Sequence, residues 1–247
     1  MQIFKADQAH RIDQGKFQIT LLRPGLIWGD PSLEDYAFGP LSRIDHATLG
    51  PGTLVRMHEH SNDEIFSYMW KGKMLHEDST GHRIEVSPNH LMMMNAGKSI
   101  HHEESTPDSS VEMLQIFIRP EETDLPSNVQ FYERSVIPAN GEWTLLAGPK
   151  EMKAPLELRQ QVAVYDAHAK AGTMLQPPII EGMEPWLYVM DGSISINDIA
   201  INKGDAVTYS PSEMSTMLIH KDASLVLFLV KLDAPMTLAG QFSGRKR

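Results

Sequence analysis

Residues 51–73 read PGTLVRMHEHSNDEIFSYMWKGK. The apolar run Ile65–Trp70 is short and bounded, with the turn sequence Ser61-Asn62-Asp63 before it and Lys71-Gly72-Lys73 after it. The same unit recurs outward from here. Leu91–Met94 stops at Asn95-Ala96-Gly97, Glu112–Ile118 at Arg119-Pro120, and Trp186–Met190 at Asp191-Gly192. Short runs closed by turn residues every ~8–12 positions are the pattern of a β-sandwich or barrel. Asp191-Gly192 predicts a hairpin, and Asn197-Asp198 and Lys203-Gly204-Asp205 delimit further short strands. Helical periodicity is confined to Pro31–Tyr36, enough for a single turn. The expected fold is all-β.

A chain of 247 residues holds one large domain or two small ones. The stretch from Pro120 to Pro155 is rich in Pro, Gly and charge and reads as a connector. It predicts an N-terminal unit over residues 1–122, a connector over 123–154 and a C-terminal unit over 155–247, each unit of small-barrel size. The last four residues, Gly244-Arg245-Lys246-Arg247, are expected to fray, as termini commonly do.

Composition removes several function classes. With no cysteine there is no disulfide framework, no thiolate metal site and no cysteine nucleophile. A net charge of −10, spread over both halves, argues against direct nucleic-acid binding, which needs basic side chains against phosphates. The apolar run Ser224–Val230 is far short of the ~20 residues that cross a bilayer. The N-terminus, MQIFKADQAHRID, has no apolar core of a signal peptide. The expectation is a cytoplasmic protein with no membrane partner. No G-x-S-x-G elbow, P-loop or G-x-G-x-x-G occurs either.

Histidine carries the chemical signal. Seven of the eleven histidines (His58, His60, His76, His82, His90, His101, His102) fall within 45 residues. On a strand, side chains two apart share a face, so His58 and His60 can reach one point. His101-His102-Glu103-Glu104 offers a second pair with the same period, as His101 with Glu103 or as His102 with Glu104. Ile100 shares its face with His102 and Glu104, and the apolar member belongs inside, so His102 and Glu104 are expected to point inward. A lone His-x-His is commonplace surface polarity. Two pairs of matched parity, separated by three strand-like runs, make a set of three imidazoles and one carboxylate that suits one divalent transition metal. Fe(II) is the first expectation, and Mn, Ni, Cu, Co and Zn also suit these donors. Glu64 shares the parity of His58 and His60 but lies ~13 Å beyond His60 on a straight strand. It reaches the metal only if Ser61-Asn62-Asp63 turns the chain, which makes it an alternative ligand or a supporting group behind the ligands. Glu59 and Asp63 are expected near the mouth, against anionic substrates such as phosphates. His76, His82 and His90 flank polar turns and are expected to be solvated or structural, as are His168 and His220 in the second half. Met92, Met93 and Met94 are expected to fill a buried strand.

These residues have a family pattern. Gly52, His58, His60, Glu64 and Gly72 closely resemble the first motif of the cupin superfamily. Ala96-Gly97-Lys98-Ser99-Ile100-His101-His102-Glu103-Glu104 resembles the A-G-R-G-I-x-H-x-E segment of the pirin family, and residues 73–81 (KMLHEDSTG) resemble its hairpin. Residues 156–161 (LELRQQ) and the Asp191-Gly192…Gly204-Asp205 stretch are similar to the second barrel of bacterial pirin-like proteins. The chain departs from the family at Glu59, Ser61-Asn62, Asn89-His90 and Ser99. The resemblance implies two tandem cupin barrels (double-stranded β-helix, or jelly-roll), a metal only in the first, and His58, His60, His102 and Glu104 as its ligands. It also implies a quercetin 2,3-dioxygenase-like oxidoreductase acting on a small aromatic substrate with O2, Glu104 serving as ligand and base in turn. The other reading it carries is a non-catalytic or redox-sensing metal protein that works through a protein partner. Oxygen uptake separates the two. Isomerase or lyase chemistry, found in the wider superfamily, is a third class.

Overall fold

The computed structural model describes residues 1–210 and 216–247. Strands dominate, and the helical pieces among the described residues are the 3₁₀ turns Ala6–Gln8, Pro24–Trp28 and Lys150–Met152. The turn expected at Pro31–Tyr36 is a non-helical loop. Pro24–Trp28 is helical instead, opened by a proline and closed by Gly29 in the left-handed region at φ 69°.

Two cupin barrels follow one another. In the first, a four-stranded sheet runs in the order Thr53–His60, Ile100–Thr106, Met74–Asp78, Arg83–Val86. It faces a seven-stranded sheet, in the order Asn128–Glu133, His90–Asn95, Glu64–Lys71, Val111–Ile118, Leu41–Leu49, Phe17–Leu22, His10–Gln14. The second barrel is built around the long strands Glu184–Ile196 and Met217–Val230, which pair antiparallel. Met92, Met93 and Met94 are fully buried in their strand.

Asp191-Gly192 is not a hairpin. The strand runs through it, and the register against Met217–Val230 shifts at Val189/Asp191 and again at Asp191/Ser193. Gly192 adopts φ 83°, and a Cβ there would sit 2.2 Å from the Asp222 carbonyl oxygen, so the glycine allows a bulge at a close crossing. The bulge inverts which parity faces in. Before it, Leu187 and Val189 fill the second barrel while Trp186 and Tyr188 pack toward the first; after it, Ile194 and Ile196 fill the second barrel. The alternation of Trp186, Tyr188, Ile194, Ile196, Ile199 and Ile201 in the sequence predicts one row facing the second barrel's own core, and the bulge is why Trp186 and Tyr188 leave it. The hairpin lies at Asn197-Asp198, both at positive φ (50° and 61°), between the paired Ile196 and Ile199. Ile199 itself is exposed.

The termini cross over between the barrels. Gln2–Phe4 pairs with Ala206–Thr208 of the second barrel. The connecting stretch gives Asn128–Glu133 to the first barrel and Thr144–Gly148 to the second. The C-terminal residues return to the first barrel and do not fray: Tyr36 N–H donates to the Lys246 carbonyl, Arg23 to that of Arg245, and Arg247 to that of Leu33. A continuous apolar cluster joins the barrels, from Phe66 and Tyr68 on one side to Trp186 and Phe228 on the other. Among the described residues, no helix is long and apolar enough to cross a membrane.

Candidate metal centre

The strands Thr53–His60 and Ile100–Thr106 pair antiparallel with His58 opposite His102 and His60 opposite Ile100. His60 is two residues from His58 on the same face, so three imidazoles meet inside the first barrel. Their ring centroids lie 4.5 Å (His58–His102), 4.9 Å (His58–His60) and 5.0 Å (His60–His102) apart. His60 and His102 are buried and His58 is half-buried. His101 is exposed on the opposite face, as the parity with Ile100 requires. Past His102 the register shifts, so that Glu104 sits opposite Val55. The extra residue in the partner strand lets both Arg56 and Met57 point out while Glu104 stays in.

The outer nitrogens of two of these rings are tied down. His58 Nδ1 lies 2.9 Å from the Arg56 carbonyl oxygen, which can only accept, so Nδ1 carries the proton. His60 Nδ1 faces the Asp63 carboxylate at 3.4 Å. In each neutral ring Nε2 is then left with a lone pair. These two Nε2 atoms are 3.1 Å apart, and His102 Nε2 is also 3.1 Å from that of His58. Converging lone pairs at that distance repel one another without a cation between them, so the donor set fits a divalent metal. Burial, then the neighbouring His60, His58 and His76, lowers His102 to about 2, and burial lowers His58, which keeps these two rings neutral.

Glu104 is inside, as expected, but behind His102. Its Oε1 lies 3.7 Å from His102 Nδ1, makes no hydrogen bond and is buried, and burial pushes the carboxyl up to about 7. Two groupings of donor atoms within 4.8 Å emerge among the described residues: His58, His60 and His102; and His76, His102 and Glu104. His76 is thus not solvated. It is fully buried, donates from Nε2 to Asp78 at 3.0 Å, and leaves a buried Nδ1 without a partner beside His102. Its signal was present, because Met74 shares its parity on the strand Met74–Asp78, and an apolar neighbour two residues away marks the inward face. Burial alone would raise Asp78, but hydrogen bonds from Thr80, His76 and backbone N–H groups hold it well below the ordinary range. His82 is half-exposed and bonds the same carboxylate, and His90 packs on Phe131.

Glu64 stands apart from both groupings. On the strand Glu64–Lys71 it shares parity with Tyr68, whose hydroxyl donates to Asp166 of the second barrel. Glu64 faces the same way and accepts from the Arg159 backbone N–H at 3.0 Å and from the Asn95 amide. The turn through Asn62 (φ 54°) inverts the face, which parity counting from His60 misses. Burial, opposed mainly by the Arg159 N–H and charge, raises Glu64 to about 7.

Asp63 is not at a mouth either: it is fully buried. Besides facing His60, it accepts from Ser243 N–H at 2.9 Å, Ser243 O–H at 2.7 Å and Phe242 N–H at 3.1 Å. Phe242 lies over His60, with ring centroids 5.0 Å apart, and stacks on Phe117. The C-terminal strap therefore closes one side of the histidine cluster. In the second barrel His168 is half-buried and pairs with Asp166 and Ser224, while His220 is exposed and meets Ser195.

Comparison with known proteins agrees with this layout. The Pirin family model matches residues 31–118, and the model of the quercetinase C-terminal cupin domain matches residues 145–230. A putative quercetin 2,3-dioxygenase of Zymomonas mobilis is 28% identical over 183 residues, covering 72% of this chain and 77% of that protein. The quercetin 2,3-dioxygenase of Escherichia coli K12 is 24% identical over 193 residues, covering 77% of this chain and 82% of its own length. Among solved structures, the bacterial pirin YhhW from Escherichia coli in complex with nickel(II) superposes with a TM-score of 0.79 at 21% identity, over 92% of this chain and 97% of that one.

Proposed function

Since this chain belongs to the pirin family, with both halves matched, we propose that it is a metal-dependent dioxygenase that opens a flavonol-like ring with O2. The observation that carries this reading is the convergence of three imidazole Nε2 atoms, two of which are left with lone pairs by the partners of their outer nitrogens. His58, His60 and His102 would hold the metal, with Glu104 as the carboxylate beside them. Fe(II) heads the metals this donor set suits, and the related Escherichia coli structure contains nickel(II). The bound metal supplies Lewis acidity and open coordination positions to an electron-rich phenol and dioxygen. The chain's own residues do the rest. Half-exposed His58 marks the side from which a substrate enters, since His60 and His102 are buried. Glu104, without a hydrogen bond of its own, is placed to take the proton of a substrate hydroxyl that comes within reach. Phe117 and Phe242 keep water from the His60 side.

The test is oxygen uptake by protein reconstituted anaerobically with Fe(II), Ni(II) or Co(II), with quercetin as substrate. Quercetin-dependent uptake that is lost in His58→Ala supports the reading. Stoichiometric metal without uptake on any flavonol would overturn the dioxygenase assignment in favour of a metal protein that acts through a partner.

A further inference from the structure

Ionisable side chains away from solvent usually have partners in this protein. His46 and Lys203, for example, reach Glu112 at 3.0 and 2.8 Å, and their hydrogen bonds outweigh burial and hold its carboxyl at about 2. One place behind the histidine cluster departs from this. His76 Nδ1, His102 Nδ1 and Glu104 Oε1 are all buried without a hydrogen-bond partner among the described residues. They are neighbours, because the strands Met74–Asp78 and Ile100–Thr106 pair with Glu104 opposite His76 and His102 opposite Asp78. The His76 and His102 ring centroids lie 5.3 Å apart, and Glu104 Oε1 is 3.7 Å from His102 Nδ1.

The partners of His76 decide where its proton sits. Asp78 takes the Thr80 hydroxyl and the backbone N–H groups of Thr80 and His82 on one oxygen, and His76 Nε2 at 3.0 Å on the other. A carboxylate loaded with donors in this way can only accept. His76 therefore carries its proton on Nε2 and keeps a lone pair on Nδ1, buried beside His102. Glu104 Oε1 brings a second acceptor to the same spot. A lone pair on His102 Nδ1 would face both, whereas a proton there is attracted to both. That proton leaves the lone pair of His102 on Nε2, the nitrogen 3.1 Å from His58 Nε2. The outer nitrogens of His58 and His60 have the Arg56 carbonyl and Asp63 for the same purpose. A second metal on His76, His102 and Glu104 is incompatible with this arrangement, since a neutral imidazole has one lone pair and that of His102 is on Nε2.

The two acceptors are not equivalent. In the proposed reaction Glu104 faces metal and substrate, while His76 is anchored by Asp78 and stays behind His102. We propose that His76 is a positioning residue of the metal centre, whose Nδ1 lone pair keeps the proton of His102 on the outer nitrogen and leaves Nε2 open to the metal. This rests on reading the histidine cluster as a metal centre and is independent of whether that centre is a dioxygenase. Outer partners of metal-bound imidazoles are typically worth ~10–100-fold in metal affinity.

The experiment compares the full chain in wild type, His76→Leu and His76→Asn, with Zn(II) as the probe. Leucine fills the space without a lone pair and leaves Asp78 its Thr80 and His82 donors. Asparagine puts a carbonyl oxygen where Nδ1 stood. Competition with a chelator of known affinity reads Zn(II) binding, and the imidazole N–H resonance of His102 in the ¹⁵N-labelled Zn(II) protein reads its outer partner. Circular dichroism checks the fold. His76→Leu should bind Zn(II) at least about tenfold more weakly and move the His102 resonance upfield, away from its hydrogen-bonded position. His76→Asn should keep the resonance downfield and the affinity within about threefold of wild type. A packing role predicts the opposite order, because a small amide suits a buried space less well than leucine. Unchanged affinity or an unmoved resonance in His76→Leu would overturn the proposal, and so would a loss in folded His76→Asn as large as in His76→Leu. Either of those results leaves the metal centre standing. A wild type that takes up no Zn(II) would overturn the metal centre and this proposal with it.

Discussion

Asp63→Asn isolates the contribution of the C-terminal strap to the metal centre. The wild-type carboxylate accepts from Ser243 and Phe242 and faces the outer nitrogen of His60. Asparagine keeps the shape and one acceptor oxygen, so Ser243 retains its partner. The amide nitrogen must then occupy the other position, where it meets His60 Nδ1–H donor to donor. The ring relieves this by moving its proton to Nε2, which removes the lone pair from the cluster. Outer partners of metal-bound imidazoles are typically worth ~10–100-fold in affinity. The His60–Asp63 contact is long at 3.4 Å but fully buried, so we place the loss at about 30-fold, ~2 kcal/mol. The weakened bond to Phe242 N–H should cost the metal-free fold only ~1 kcal/mol. Competition of Co(II) or Ni(II) between the protein and a chelator of known affinity reads the first quantity, and thermal melting of the metal-free protein reads the second. Metal affinity within about threefold of wild type, with an unchanged melt, would show that Asp63 does not set the His60 tautomer.

His58→Ala and His60→Ala should each lose stoichiometric metal while circular dichroism stays that of a β protein; full metal retention in either sinks its role as a ligand. His102→Ala should lose metal and His101→Ala should keep it, because the two side chains lie on opposite faces; metal analysis showing equal loss would contradict the register. Glu112 sits at about 2 in the folded chain against an ordinary 4.5, so it stabilises by on the order of 3 kcal/mol above about pH 4.5. That contribution fades as the pH falls from 4.5 toward 2, and denaturant melts over this range should show a flatter acid limb in Lys203→Met. The double variant His168→Ala/His220→Ala should keep one metal per chain but melt earlier, by ~1–2 kcal/mol, because the buried Asp166 loses a donor.

Local parity made much of the fold and of the histidine cluster legible. The runs around Ile65–Trp70, Leu91–Met94 and Glu112–Ile118 are strands because their turn residues bound them and their apolar residues fit a buried pleat. Ile100 indicated which of two adjacent histidines turns inward, and the structure places His102 inside and His101 outside. The same logic was available for His76 through Met74, but the charged Glu77 and Asp78 beside it read as a polar turn. What parity cannot carry is a change of face. The turn at Asn62 sends Glu64 toward Arg159, and the bulge at Gly192 sends Trp186 and Tyr188 out of their own barrel. Each is a one-residue event that inverts every side chain beyond it.

Contacts between distant segments leave no local trace at all. Nothing in Gly244-Arg245-Lys246-Arg247 marks it as ordered, yet its backbone carbonyls are acceptors for Arg23 and Tyr36. Nothing in Gln2–Phe4 marks it as an edge strand of the second barrel. These exchanges explain what a second barrel with no metal donor cluster among its described residues does for the first. Its chain end supplies Phe242 and Ser243 to the histidine cluster, and its Arg159 and Asp166 occupy the buried Glu64 and Tyr68 on the sheet's other face. Buried Arg134, from the connector, holds Asp166 at 2.7 Å from the same side. Cutting the chain between the barrels would strip His60 of its cover and leave Glu64 without its backbone donor. The two barrels therefore depend on each other's contacts, and an isolated first barrel would keep the candidate ligands without the scaffold that orients them.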